Sequence, residues 1–111
     1  MSNQQTDQYC ESIIPEHVPV NKIYESDSVL AFYAREPLWP VHAIVIPKQH
    51  IASLLDFEDL RSEVIADLMK TIANVAKQIS AKYGKCRVMT NVGEYQHTKH
   101  LHWHIYSETN S

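Results

Sequence analysis

The sequence has little positive charge, few cysteines and no long apolar run. Its ten Lys and Arg residues are outnumbered by thirteen Asp and Glu residues, which leaves a net charge of −3 with the histidines neutral. Such a chain lacks the basic field that holds a long nucleic acid through counterion release, so we expect no long nucleic-acid partner. Local donors can still hold one or two phosphates, so a single nucleotide is compatible with this charge.

The apolar residues occur in short runs, and none approaches the length that crosses a membrane. Residues 1–7 are polar and lack the apolar centre of a signal peptide. Cys10 and Cys86 lie far apart and outside any Cys-x-x-Cys spacing, which argues against a zinc knuckle and for reduced thiols. We therefore expect a cytoplasmic protein without a membrane partner.

A chain of 111 residues has room for one small domain with a single core. It contains no internal repeat, low-complexity tract or linker. We predict a disordered N-terminus over residues 1–8 and one domain over residues 9–111, with the last three residues frayed.

The pattern of apolar residues predicts an α+β fold. Short apolar or alternating runs bounded by turn residues predict five strands, at residues 22–25, 29–33, 43–46, 86–91 and 100–106. Apolar residues at spacings of three and four from Leu60 to Tyr83 predict one long helix, with Asp56 as its N-cap and Gly84 as its C-terminal stop. A short helical turn is predicted over residues 9–14. Short connections between the strands predict a mainly antiparallel sheet.

The most informative segment is residues 100–106, which read His-Leu-His-Trp-His-Ile-Tyr. This alternation has the two-residue period of a strand, which predicts three imidazoles on one face, His100, His102 and His104. The intervening apolar residues then enter a core on the other face. Because the pKa of imidazole lies near neutrality, such a row suits proton handling, nucleophilic attack or metal ligation.

Three interpretations of the histidine row compete. The first is a solvated strand face, on which the imidazoles have no chemical function. A zinc site is the second, because His-x-His can chelate one ion with a third ligand from elsewhere, and Glu94 and Glu108 are the local carboxylates. His100 and His104 lie roughly 13 Å apart along an ideal strand, however, so all three histidines cannot easily reach one ion.

Nucleophilic attack on phosphorus is the third interpretation and the one we favour. A neutral imidazole attacks through one ring nitrogen when the other is held protonated by an acceptor. His102 is central, and His100 and His104 can donate hydrogen bonds to the oxygens of a negatively charged transition state.

These residues resemble the histidine triad (HIT) superfamily, whose motif is His-φ-His-φ-His-φ-φ with φ apolar. Residues 100–106 match this motif at every position. Residues 24–32 and 40–51 resemble the strands that precede the helix in the HINT branch, and residues 90–93 resemble its Asn-x-Gly segment. The resemblance covers the chain from Tyr9 to Ser107.

The resemblance implies a homodimeric α+β protein that binds purine nucleoside monophosphates and hydrolyses phosphoramidates or nucleotidyl conjugates, without a metal or organic cofactor. A homodimer also suits the burial of an apolar helix stripe and a small sheet. By the resemblance, His102 is the nucleophile that forms a nucleotidyl-histidine, His100 and His104 support the phosphate and the imidazole orientation, and His42 is the fourth histidine of the site.

The resemblance also implies a set of substrate-binding residues. Asn91 lies near the phosphate and leaving group, Gln96 keeps its usual place before the triad, and His97 occupies the position of a phosphate-binding hydroxyl. The base and ribose pocket is lined by four residues: Cys10, Ile13, Phe32 and Ile44. From the residues alone, His50 reads as a structural hydrogen-bonding residue.

Two departures from the family pattern bear on activity. The acidic residue that usually holds the ribose hydroxyls is replaced by Ala34, and losing a carboxylate that accepts two hydroxyl bonds weakens nucleoside binding. The glycine-rich loop before the triad is replaced by residues 94–99, which contain no glycine. A non-catalytic nucleotide- or partner-binding module therefore stands as the rival to the hydrolase.

Overall fold

The computed structural model describes residues 7–108 and has the predicted α+β architecture. Its helix is α1 (Ser62–Tyr83), and its strands are β1 (Asn21–Glu25), β2 (Val29–Tyr33), β3 (Val41–Pro47), β4 (Arg87–Thr90) and β5 (Trp103–Ser107). The strands form one antiparallel sheet in the order β1-β2-β3-β5-β4. No helix in this range is long and apolar enough to span a membrane.

The central strand of the sheet, β3, is covered by other parts of the chain on both faces, and its sequence is correspondingly apolar. All seven residues of β3 are buried, which accounts for a near-continuous apolar run. The β1–β2 turn is fixed by Ser26, whose Oγ accepts hydrogen bonds from the backbone N–H groups of Ser28 (3.2 Å) and Val29 (3.0 Å). This turn sets the β1–β2 pairing.

Helix α1 packs on one face of the sheet through its apolar stripe. Val64, Leu68, Ile72, Val75 and Ile79 are buried against alternate residues of the strands. Complete burial of one such side chain contributes about 1.5–3 kcal/mol. The helix therefore stabilises one face of the sheet and leaves the opposite face for the N-terminal segment and the candidate site.

The predicted C-terminal end of the helix is confirmed, and the predicted N-cap is wrong. Gly84 has φ +88°, a left-handed conformation that favours glycine, and its N–H donates to the Ser80 carbonyl. Asp56 lies inside a 3₁₀ segment, Leu54–Asp59, whose N-cap is Ser53. The helix begins at Ser62, after an extended residue that separates it from this segment.

The second face of the sheet is covered by a short helical turn, Tyr9–Ile13, as predicted. Tyr9 and Ile13 pack there with Phe32 and Ile44 from the sheet. The predicted disorder of residues 1–8 falls mostly outside the described range, as does the predicted fraying of residues 109–111. Asp7 lies inside it, and its Oδ1 accepts from the backbone N–H groups of Tyr9 (3.1 Å) and Cys10 (3.2 Å).

Candidate active site

Three histidines meet on the face of the sheet opposite α1. His104 lies on β5 beside Ile44 of β3, and His42 lies on β3 beside Tyr106. His102 precedes β5, and its carbonyl accepts a hydrogen bond from Thr90 Oγ1 at 2.7 Å. Strand β5 begins at Trp103, one residue after His102. The ring of His102 and the ring of His104, the second residue of β5, have centroids 4.9 Å apart.

The three motif histidines do not lie on an open strand face as predicted, because His100 and His102 precede β5 and all three residues are buried. His100 lies outside β5 and its side chain is fully buried. Its Nε2 donates to the Pro47 carbonyl at 2.8 Å, and Tyr9 packs against both its ring (5.5 Å between centroids) and the ring of His102 (5.2 Å). The chain leaves the strand ladder before Trp103, but the alternation of faces continues, because Leu101 packs in the core on the α1 side of the sheet.

Hydrogen bonding determines which nitrogen of His102 carries the proton. Nδ1 lies 2.7 Å from the carbonyl oxygen of His100. Because a carbonyl only accepts, Nδ1 carries the hydrogen and the neutral ring keeps its lone pair on Nε2. Burial lowers the pKa of His102 and outweighs the hydrogen bond to His100, which raises it. The ring is therefore neutral near pH 7, with a free electron pair.

His42 and His104 form a second defined pair. The Leu38 backbone N–H donates to His42 Nδ1 at 3.2 Å, so the His42 proton is on Nε2, which lies 2.8 Å from His104 Nδ1. The His104 proton is consequently on Nε2. Burial lowers the pKa of each ring to about 4, and the positive charges of neighbouring histidines add to the effect. His104 is thus a neutral N–H donor.

These histidines border a cavity of about 710 Å³, within the range of small-molecule sites. Seven of the predicted site residues line it: Ile13, His42, Ile44, Asn91, His97, His102 and His104. Ala34, Arg35 and Glu36 also border it, at the position where the family pattern has its acidic residue. The cavity therefore combines an apolar wall with a row of imidazoles.

Four predicted site residues do not line this cavity. Phe32 lies beneath Tyr9 in the core, with ring centroids 6.1 Å apart, and Gln96 Nε2 donates to the Ala52 carbonyl at 2.5 Å. Cys10 and His100 face each other instead, with Cys10 Sγ 3.5 Å from His100 Nδ1. The motif thus contributes two residues to the cavity and one to a separate cluster behind it.

The separate cluster contains four side chains with metal-ligating atoms: Asp7, Cys10, His50 and His100. Asp7 Oδ2 lies 2.9 Å from His100 Nδ1 and 2.5 Å from His50 Nδ1. Burial raises the pKa of Asp7, but hydrogen bonding and the charge of His100 outweigh it and lower the pKa overall. Burial and the Asp7 carboxylate raise the pKa of Cys10 to about 11.

Sequence reasoning missed Trp39 and the grouping of the cluster. Trp39 stacks on Tyr106 at 3.6 Å between centroids and meets the His42 ring edge-on at 4.8 Å. It lies in a proline-flanked connection without periodicity, so no local signal distinguished it.

The acidic residues proposed for a zinc site on the histidine strand lie elsewhere, with Glu108 near Arg87 and Glu94 exposed.

Comparisons with known proteins show similar sequences and folds. The family model described as "HIT domain" matches residues 16–111. An uncharacterized HIT-like protein from Helicobacter pylori is 38% identical over 99 residues, which cover 87% of this chain and 92% of that protein.

Two solved structures are similar in fold. A HIT family hydrolase from Legionella pneumophila is 27% identical with a TM-score of 0.79, and the match covers 94% of both chains. A hypothetical histidine triad nucleotide-binding protein from Sulfolobus tokodaii is 28% identical with a TM-score of 0.75, over 88% of this chain and 66% of that chain.

Proposed function

This chain belongs to the HIT domain family, and we propose that it is a hydrolase or nucleotidyl transferase that attacks the α-phosphorus of a nucleotide through His102. The observation that carries the proposal is the bond from His102 Nδ1 to the His100 carbonyl, which leaves the Nε2 lone pair free. The substrates are purine nucleoside phosphoramidates or dinucleoside polyphosphates.

The reaction proceeds in two displacements. His102 Nε2 forms a bond to the α-phosphorus while the bond from phosphorus to the amine nitrogen or bridging oxygen breaks. The leaving group departs with that electron pair and takes up a proton from solvent. Water then attacks phosphorus, the phosphorus–nitrogen bond breaks, the electron pair returns to Nε2, and the water proton passes to solvent, which releases the nucleotide.

The neighbouring groups support a negatively charged transition state. His104 Nε2–H is an uncharged donor whose orientation is fixed through His42, so little reorganisation is needed when charge develops on the phosphate. Asn91 and His97 border the same cavity and supply further polar contacts to the phosphate or leaving group. Ile13 and Ile44 provide apolar surface for the base.

The test is the variant His102→Ala, assayed for turnover of adenosine 5′-phosphoramidate and a dinucleoside polyphosphate. We expect turnover to fall on the order of 10³-fold or more, because the covalent route is lost. Mass spectrometry of rapidly quenched wild-type protein should detect a nucleotidyl adduct that the variant lacks. The exposed His17, replaced by alanine, is the control. Residual activity near the wild-type value would reject His102 as the nucleophile.

A non-catalytic nucleotide-binding module is the second candidate, and Ala34 favours it. The side chain at this position borders the cavity but offers no carboxylate to the ribose. Calorimetry with AMP and GMP, run beside the turnover assay, separates the candidates. Binding without turnover supports the module, whereas turnover with a trapped adduct supports the hydrolase.

We also propose that the protein is a homodimer. Strand β4 lies at the edge of the sheet, where backbone groups are available for pairing, and its Val88 is 47% exposed. Light scattering at micromolar concentration should give twice the chain mass. Val88→Lys should shift the population toward monomer, and the exposed Leu55→Lys on the 3₁₀ segment should not. A wild-type monomer would reject the proposal.

A further inference from the structure

The wall of the cavity carries one permanent positive charge, on Arg35. Of the described residues that line the cavity, Arg35 is the only lysine or arginine, and a guanidinium stays protonated at every physiological pH. Burial lowers the pKa of His42, His102 and His104, so these rings are neutral near pH 7. An anionic ligand in the cavity therefore meets a permanent cation at Arg35 and neutral donors at these three histidines.

Arg35 borders the cavity because β2 ends just before it. The strand stops at Tyr33, and Ala34 still pairs with β3 through its N–H, which donates to the His42 carbonyl at 2.9 Å. The chain then bends at Arg35 and Glu36. In a continuing strand Ala34 and Arg35 would point to opposite faces, but after this bend both border the cavity. The bend thus places a guanidinium beside the methyl group of Ala34.

The guanidinium of Arg35 is available to a ligand. Within residues 7–108 it forms no ion pair, hydrogen bond or cation–π contact, and its residue is exposed. Its neighbour Glu36, the only carboxylate among the described lining residues, forms no ion pair with it either. The five N–H donors of a guanidinium form a fork that matches a phosphate group through two parallel hydrogen bonds. Phosphate is therefore the ligand group that suits this position.

The register of the sheet separates Arg35 from the histidines of β5 by two strand spacings. Ile44 pairs with His104 on one side and with Phe32 on the other, and Ala34 follows Phe32 by two residues on the same face. At ~4.8 Å per strand and ~3.3 Å per residue, the backbones of Ala34 and His104 lie roughly 12 Å apart. A nucleotide whose 5′-phosphate lies at His104 extends across this interval, so Arg35 faces a different part of the ligand.

We propose that the nucleotide bound in this cavity carries a second phosphate on its ribose, at the 2′ or 3′ position, and that Arg35 binds it. This inference rests on the proposed function and narrows its substrate class. Dinucleotide-binding proteins use the same chemistry, since a carboxylate accepts from a free ribose 2′-hydroxyl and a nearby arginine accommodates a 2′-phosphate. Here the wall beside the bend offers the methyl group of Ala34 and the guanidinium of Arg35.

The test is calorimetry of the full chain with AMP, adenosine 2′,5′-bisphosphate and adenosine 3′,5′-bisphosphate. We expect one bisphosphate to bind the wild type about 10- to 100-fold more tightly than AMP, because a hydrogen-bonded charge pair is gained. Arg35→Ala should reduce this ratio to near one. Arg35→Lys should retain part of it, because an ammonium keeps the charge and loses the fork. Arg61→Ala, at an exposed arginine before α1, is the matched control and should retain the full ratio.

The position of the second phosphate follows from which bisphosphate binds more tightly. A wild type that binds both bisphosphates no more tightly than AMP would overturn the inference, and so would a preference that survives in Arg35→Ala. A dinucleoside polyphosphate is the further arm of the experiment. If Arg35→Ala weakens its binding and leaves the preference for the bisphosphate intact, Arg35 serves the leaving group and the inference is wrong.

The inference and the proposed hydrolase fail separately. His102→Ala should keep the preference for the bisphosphate, since the second phosphate lies at Arg35. Turnover that depends on His102 in a protein without this preference overturns the role of Arg35 alone. Failure of the wild type to bind any of the three nucleotides overturns both.

Discussion

His42 Nε2 lies 2.8 Å from His104 Nδ1, and the backbone N–H of Leu38 on the far side of His42 fixes the direction of that hydrogen bond. A main-chain donor thereby sets the tautomer of a ring at the cavity through an intermediate histidine. The neutral His104 ring therefore has one donor, its Nε2–H, and carries no charge in its buried position. This relay, the hydrogen-bonded series of Leu38, His42 and His104, explains why His42, far from the motif in sequence, belongs to the site.

His42→Ala should slow turnover more than it weakens substrate binding. Without its partner, His104 can adopt either tautomer, and one ordered hydrogen bond of about 1 kcal/mol or more is lost from the transition state. We expect kcat to fall roughly 5- to 10-fold or more with a small change in KM. Steady-state kinetics measure this, with His17→Ala as the surface control. A change confined to KM would contradict the role of the relay.

Stability should decrease as the pH falls from about 6.5 toward 4. The pKa values of His42 and His104 are near 4 in the folded protein, below the ordinary value of 6.5. Between pH 6.5 and pH 4 the unfolded chain binds protons at these two histidines and the folded chain does not. The free energy of unfolding therefore falls as the pH falls. The slope is at most about 1.4 kcal/mol per pH unit for each histidine.

Urea unfolding of the wild type and of His42→Asn at pH 7, 6 and 5 measures this slope. The variant should lose stability less steeply because it lacks one of the depressed groups. His17→Asn, at an exposed position, should follow the wild type. Equal slopes in His42→Asn and the wild type would contradict the assignment of this pH dependence to His42.

Trp39 should stabilise the site through its stacking on Tyr106. Trp39→Leu removes a stacked pair at 3.6 Å and the edge contact with His42, so the free energy of unfolding should fall by about 1–2 kcal/mol. Tyr95→Leu is the matched control, because Tyr95 also borders the cavity but is 81% exposed. Thermal unfolding compares the two. Equal losses in both variants would argue that the stacking contributes nothing.

Restoring an acidic residue at position 34 should strengthen nucleotide binding. Ala34 borders the cavity, and an aspartate there can accept both ribose hydroxyls. A charged hydrogen bond contributes about 1.5–3 kcal/mol, so Ala34→Asp should tighten AMP binding about 10-fold or more. Calorimetry with AMP and 2′-deoxy-AMP measures the gain, which should be larger for AMP. An equal gain for both nucleotides would exclude ribose recognition as its source.

Local patterns predict the five strands and the long helix, although not all of their ends. Residues 29–33 form β2 as predicted, and the stop at Gly84 was found because a left-handed helix end favours glycine. The prediction of Asp56 as the N-cap of α1 fails because two consecutive helical segments share acidic first turns. For the site, a nucleophilic imidazole needs an acceptor that holds the proton on its other nitrogen, and in the structure the His100 carbonyl is that acceptor for His102.

By itself, the sequence determined the strand and helix periods, the α+β class and the chemical identity of the histidine motif, because these depend on residues a few positions apart. Only the tertiary structure decided that His100 is fully buried and that His42 fixes the tautomer of His104. It also brought Asp7 and His100 together across 93 positions. Contacts over such separations depend on how the loops around the sheet close, and no local spacing of side chains encodes that closure.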